Sequence, residues 1–108
     1  MRETFPTGTV TFLFTDVEGS TRLLRELGPE RYAVELAEHR RLIRHACTDN
    51  DGVEVDTQGD AFFFAFPAAS SAVAAAAQLT QWLAAGPIRV RVGIHSGRAP
   101  LDRGRLRG

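Results

Sequence analysis

The apolar positions of this chain change their period several times, and each change marks an element. Thr9-Val10-Thr11-Phe12-Leu13-Phe14-Thr15 is rich in β-branched and aromatic residues, with Val10, Phe12 and Phe14 on one side. It predicts a buried strand that stops at Asp16. Gly19-Ser20-Thr21 then opens a short helical stretch through Leu27, which Gly28-Pro29 ends. From Glu30 to about Asp49 the spacing of Tyr32, Leu36, Ile43 and Cys47 places them on one face of a long amphipathic helix, with Glu35, Glu38, Arg41 and Arg44 largely elsewhere.

Asn50-Asp51-Gly52 is a turn signal, and Val53-Glu54-Val55-Asp56 alternates as a second strand. Thr57-Gln58-Gly59-Asp60 joins it to Ala61-Phe62-Phe63-Phe64-Ala65-Phe66, so the two strands predict a hairpin, which Pro67 stops. Ala68 to Ala85 predicts an alanine-rich helix that packs through Val73, Leu79, Trp82 and Leu83. Ile88-Arg89-Val90-Arg91-Val92-Gly93-Ile94 alternates as a fourth strand.

The resulting order, β-α-α-β-β-α-β, is that of an α+β fold with a ferredoxin-like split βαβ core. It implies a four-stranded sheet containing antiparallel pairs, with right-handed crossovers and helices on one face. The opposite face is left to solvent, further chain or a partner. Residues 1–108 are expected to form one domain, and residues 98–108, rich in glycine and arginine, a flexible basic tail.

Composition narrows the chemistry. All 13 basic residues are arginine, so lysine-dependent mechanisms, including a P-loop lysine and a Schiff base, are excluded. An apolar content of 44% with 24% charged residues belongs to a globular chain, and 108 residues bury roughly two thirds of the surface their unfolded form exposes. No apolar run approaches the ~20 residues that cross a bilayer, and Met1 to Pro6 has no secretory h-region. Cys47 stands alone, so it forms no internal disulfide, consistent with the cytoplasm.

A formal net charge of zero conceals a split between seven arginines against twelve acids up to Gly86, and six arginines against Asp102 alone beyond it. The basic end lacks interleaved aromatic residues, so a solvated loop is the better reading and no nucleic-acid partner is expected. His39 and His45 are six apart and share no metal-binding face; His95 and Cys47 read as structural.

Two acids stand at special places: Asp16 at the end of the first strand and Asp60 at the turn into the third. If those strands are neighbours, both carboxylates lie at one edge of the sheet, where hard oxygen ligands suit magnesium or manganese. The run Val17-Glu18-Gly19-Ser20-Thr21 leads into a helix whose first N–H groups are free to meet an anion. The same residues also fit simpler roles, Asp16, Ser20 or Thr21 as a helix cap and Gly59-Asp60 as ordinary turn chemistry.

The segment Phe12 to Thr21 resembles the first metal-binding motif of the class III adenylate and guanylate cyclase catalytic domain, in an actinobacterial-type version. Glu54 to Phe66 resembles the family's second metal motif, and Val90 to Gly97 its fourth-strand motif. The resemblance implies that Asp16, Asp60 and the Val17 carbonyl ligate two ions, Mg²⁺ or Mn²⁺, and that the backbone of Val17, Glu18, Gly19, Ser20 and Thr21 holds the triphosphate of ATP or GTP. The implied reaction is attack of the ribose 3′-oxygen on the α-phosphate, giving a 3′,5′-cyclic nucleotide and pyrophosphate for intracellular signalling. One metal would activate the nucleophile and both would offset charge. The resemblance also implies a homodimer, or a heterodimer with another cyclase domain.

Departures from the family pattern set further expectations. Asp56 stands where active members usually carry a purine-reading lysine, and Arg105 falls near the partner specificity position, so the two form a pair of reversed polarity or two unrelated solvated charges. The family's transition-state asparagine and arginine are expected beyond Gly108, which implies a truncated domain with weak or no activity. The alternative is a non-catalytic, cyclase-like dimerisation or regulatory module.

Overall fold

The computed structural model describes residues 9–98. Its elements are β1 (Thr9–Glu18), α1 (Ser20–Leu27), α2 (Pro29–Asp49), β2 (Val53–Gln58), β3 (Ala61–Phe66), α3 (Ala69–Leu83) and β4 (Arg89–Arg98). The expected element order is therefore present. The strands form one sheet in the order β2-β3-β1-β4, and every pair in it is antiparallel. Because the hairpin places β3 rather than β2 beside β1, the first and last strands become neighbours, as the split βαβ arrangement requires.

Of the three residues expected to be buried in β1, Val10 is buried, at 1% exposed, whereas from Thr11 onward alternation turns the opposite set to the helices. Thr11, Leu13, Thr15 and Val17 are the residues that point to the helices and are buried, whereas Phe12 is half-buried and Phe14 is 45% exposed. Period-2 geometry separates the two sets but does not say which faces the core, and the phenylalanines misled because size stood in for burial. The choice is made by the partners. Leu13 lies opposite Phe64 and Ile94, and Thr15 opposite Phe62 and Val92, all on the helix side.

The core is a layer between that side of the sheet and two helices. Leu13, Phe62, Phe64 and Phe66 meet Ile43, Ala46 and Cys47 of α2 and Ala72, Ala75, Leu79 and Leu83 of α3. The alanines let α3 approach closely, which is the physical use of its biased composition. Cys47 is fully buried and desolvation pushes its thiol up to about 12, so it is a packing group. His39 is buried too, 2% exposed, with neither ring nitrogen hydrogen-bonded. Desolvation lowers its pKa and holds it neutral.

Three boundaries differ from the sequence reading. β1 continues through Asp16 and Val17 to Glu18, because β4 pairs with it over its whole length, ending at Glu18 opposite Arg89. β2 likewise extends to Gln58, so Thr57 and Gln58 are strand, with an irregularity between Glu54 and Asp56. β4 runs on to Arg98 and takes His95, Ser96 and Gly97 into the sheet, the Thr11 and Ser96 hydroxyls meeting at 2.8 Å. Residues 99–108 of the expected tail lie outside the described residues. No described helix is long and apolar enough to cross a membrane.

Candidate functional site

The strand order brings the two motif acids to one end of the sheet. β1 and β3 are neighbours with Thr15 opposite Phe62, and continuing that register sets Asp16 beside Ala61 and Val17 beside Asp60. Asp16 projects on the open face, in step with Phe12 and Phe14, while Asp60 sits in the turn that Gly59 makes with φ 59°. Arg40 of α2 reaches that turn, its Nη2 donating to the Gly59 carbonyl. The helix thereby ties down the loop that carries Asp60.

Asp16 is already engaged. Arg91, directly opposite on β4, donates from Nε to Oδ1 at 2.8 Å and from Nη2 to Oδ2 at 2.9 Å. This two-bond fork is the strong form of the arginine–carboxylate contact, and it lowers the Asp16 pKa chiefly through hydrogen bonding. The guanidinium also lies in the fields of Glu18 and Asp60, which, after the bond to Asp16, add to the rise in its own pKa. This cation thus binds Asp16 directly and feels Asp60 only at a distance, from the other side of β1.

After β1 the chain turns at Gly19, whose φ of 64° and ψ of 40° are left-handed, and α1 begins at Ser20 with no side-chain cap. The capping roles considered for Asp16, Ser20 and Thr21 are therefore corrected: Asp16 is strand, and Ser20 and Thr21 are inside the helix. With no side chain on the first N–H groups, they remain open to water or to an anion. Gly19 is required here because the left-handed region penalises any Cβ.

Between Asp16 and the far edge lies a concave site of about 570 Å³, lined by Phe14, Asp16, Asp56, Phe63, Arg91 and Gly93 among others. Phe14 and Phe63 stack with centroids 4.6 Å apart and planes 5° from parallel, and Phe12 adds a tilted contact at 5.2 Å to Phe63. This aromatic floor escaped the sequence reading. Its signal, phenylalanine at alternate positions on two neighbouring strands, was present but was assigned to the core. Asp56 stands at the rim with its carboxylate accepting from the Thr57 N–H at 2.9 Å and the Gln58 side-chain amide at 3.3 Å. Arg105 lies outside the described residues, so its pairing with Asp56 stays an expectation. His95 is exposed on the open face, opposite Phe12, rather than packed in the core.

The donor set suits a hydrated hard cation. Among the described residues no group of three or more His, Cys, Asp or Glu converges as a metal cage. Asp16 and the Asp60 turn share one sheet end, with Arg91 on the β4 side of Asp16, and two carboxylates would be enough for Mg²⁺ or Mn²⁺, which keep waters and take substrate phosphates as further ligands.

A sequence model of the adenylate and guanylate cyclase catalytic domain matches residues 3–101, and the chain belongs to that family. It is 42% identical over 98 residues to an uncharacterised protein of Mycobacterium tuberculosis, covering 89% of this chain and 34% of that one. It is 41% identical over 68 residues to an adenylate cyclase of Podospora anserina, 63% of this chain and 3% of the relative. The chain thus spans about a third of the mycobacterial relative's length.

Solved structures agree. An adenylate cyclase of Trypanosoma brucei in its monomeric state superposes with a TM-score of 0.74 at 29% identity, over 88% of this chain and 59% of that one. A monomeric guanylyl cyclase domain from Blastocladiella emersonii gives 0.75 over 99% of this chain and 72% of the other, and at 20% identity shows the fold alone.

Proposed function

We propose that these residues form the metal- and triphosphate-binding half of a class III nucleotidyl cyclase site, converting ATP or GTP to the 3′,5′-cyclic nucleotide and pyrophosphate when a partner domain completes it. The observation that carries this reading is that Asp16 on β1 and the turn carrying Asp60 lie at the same end of the sheet, beside the Gly19 turn. Asp16, Asp60 and the Val17 carbonyl would hold Mg²⁺ or Mn²⁺, two ions in all. Bound there, the ions would supply Lewis-acid activation of the 3′-oxygen and charge neutralisation at the phosphates.

The chain's own residues do the rest. The backbone from Val17 to Thr21 binds the triphosphate through N–H groups at the start of α1, and Gly19 gives it close approach. The stacked Phe14 and Phe63 form an apolar floor that excludes water from the base side of the cradle. Asp56 occupies the purine-reading position with an acceptor where the family usually offers a lysine donor, so it selects against the usual adenine arrangement. The partner is a second copy or another cyclase domain docked on the open sheet face, and the setting is cytoplasmic signalling.

Calorimetry with Mn²⁺ and ATP or GTP tests the half-site. Metal-dependent nucleotide binding that is lost in Asp16→Ala is the expected result; no such binding, or binding unchanged in that variant, sinks it. The acid at Asp56 favours a second reading, a dimerisation module without catalysis. Cyclic nucleotide formed by the purified chain and abolished by Asp60→Ala would reject that second reading.

A further inference from the structure

A second cavity lies on the helix side of the molecule and shares no lining residue with the aromatic cradle. It holds about 220 Å³ and is lined by Glu35, His39 and Leu42 of α2, Trp82 and Leu83 of α3 and Ile88 just before β4, among others. Leu83 and Ile88 are buried, so much of its wall is apolar. The volume falls below the range of about 300–1,000 Å³ that takes drug-sized ligands, so the cavity suits a single ring with a short arm.

The polar groups in that wall say what the arm should carry. Glu35 and His39 are four apart on α2 and therefore neighbours on one helix face. His39 is 2% exposed, and neither of its nitrogens has a partner among the described residues. Leaving a buried polar group unpaired costs free energy, and a ligand that donates to it removes that cost. Burial holds the imidazole neutral, so one nitrogen is an acceptor. Of the two carboxylates in the lining, Glu38 is committed to Arg41 by bonds of 3.0 and 2.7 Å, whereas Glu35 has only a 3.7 Å contact with Arg31. Glu35 is thus the available charge. Trp82 adds an aromatic surface, on which a second ring or a cation packs well.

We propose that this cavity binds a small aromatic amine, with Glu35 pairing to the ammonium, His39 accepting one of its hydrogens and the ring lying against Trp82 and Ile88. An anion would be repelled by Glu35. A neutral ring would leave both the carboxylate and the imidazole unanswered. The site needs no metal and no nucleotide, so it is tested independently of the half-site.

Trp82 is the chain's one tryptophan, and its fluorescence reports directly on the cavity it lines. Titration with phenethylamine is expected to give a saturable change, phenethyl alcohol to bind about twofold to fivefold more weakly, and phenylacetate to give no change. Glu35→Gln is expected to weaken phenethylamine by about twofold to fivefold, and His39→Leu by about threefold to tenfold. Glu30→Gln removes an acid of the same helix from outside the cavity and is expected to leave affinity unchanged. Gly86→Leu distinguishes this cavity from the adjoining hollow of Arg41, Leu42, His45 and Trp82. A Cβ at Gly86 meets only the Leu83 carbonyl, at 3.8 Å, so the added side chain is tolerated by the backbone and is expected to block the cavity and abolish binding. No saturable change with phenethylamine, or equal affinity for the alcohol, overturns the proposal. So does affinity that is unchanged in Glu35→Gln, His39→Leu or Gly86→Leu, or a loss in Glu30→Gln equal to that in Glu35→Gln.

Discussion

His39 shows what one side chain can impose. It lies on the inner face of α2 with both nitrogens unpaired, and desolvation keeps it neutral. An imidazole whose folded pKa lies below its unfolded value of about 6.5 binds fewer protons in the native state. Its contribution is therefore intact above that value and declines as pH falls toward the folded pKa. Urea unfolding at pH 8 and pH 5.5 checks this. The wild type is expected to lose stability between them, and His39→Leu, which removes the unpaired nitrogens and the titration together, is expected to lose less. Equal losses in the two proteins would reject the assignment.

At the scale of elements, the junction of α2 and β2 leaves no room for a side chain at Gly52. A Cβ on Gly52 would sit 2.7 Å from Cζ of Phe66 and 2.8 Å from the Cys47 carbonyl, whose oxygen accepts the Gly52 N–H. Phe66 is a fully buried core ring and cannot yield. Gly52→Ala is expected to destabilise by about 1–3 kcal/mol, the usual cost of overpacking, measurable as a fall in Tm. An unchanged Tm would mean that the turn relaxes freely. The turn itself was legible in Asn50-Asp51-Gly52, and the element order and the hairpin were legible in the same way, from period and punctuation. The ends of β1, β2 and β4 were not, because they are set by cross-strand partners as far as 89 residues away, such as Arg98 for Thr9. The site divided along the same line: Asp16 and Asp60 were visible as motif acids, whereas Arg91, Arg40 and the Phe14–Phe63 stack needed the sheet order before they had neighbours.

At the scale of the whole molecule, the sheet has one clothed face and one bare one among the described residues. α2 and α3 cover the inner side of the sheet, and the outer side presents Phe12, Phe14, Phe63 and His95. An aromatic surface of this kind marks a contact site more often than a solvated one. Sedimentation velocity is expected to show concentration-dependent self-association that Phe14→Glu weakens, with Tm changed little because Phe14 is already 45% exposed. A wild-type chain that stays monomeric at high concentration, or a variant that associates as well, would reject the open face as the contact.

The strand order β2-β3-β1-β4 also separates what must stay fixed from what can vary. Asp16 belongs to the central strand β1, which is paired on both sides, whereas Asp60 lies in the turn that leads into β3. Asp56 and Arg91 belong to the outer strands β2 and β4, where a changed side chain disturbs a single pairing partner. Side chains can therefore change at the margins of the sheet with less disturbance to the fold than at its centre, so this architecture leaves its edge strands free to vary while β1 stays fixed.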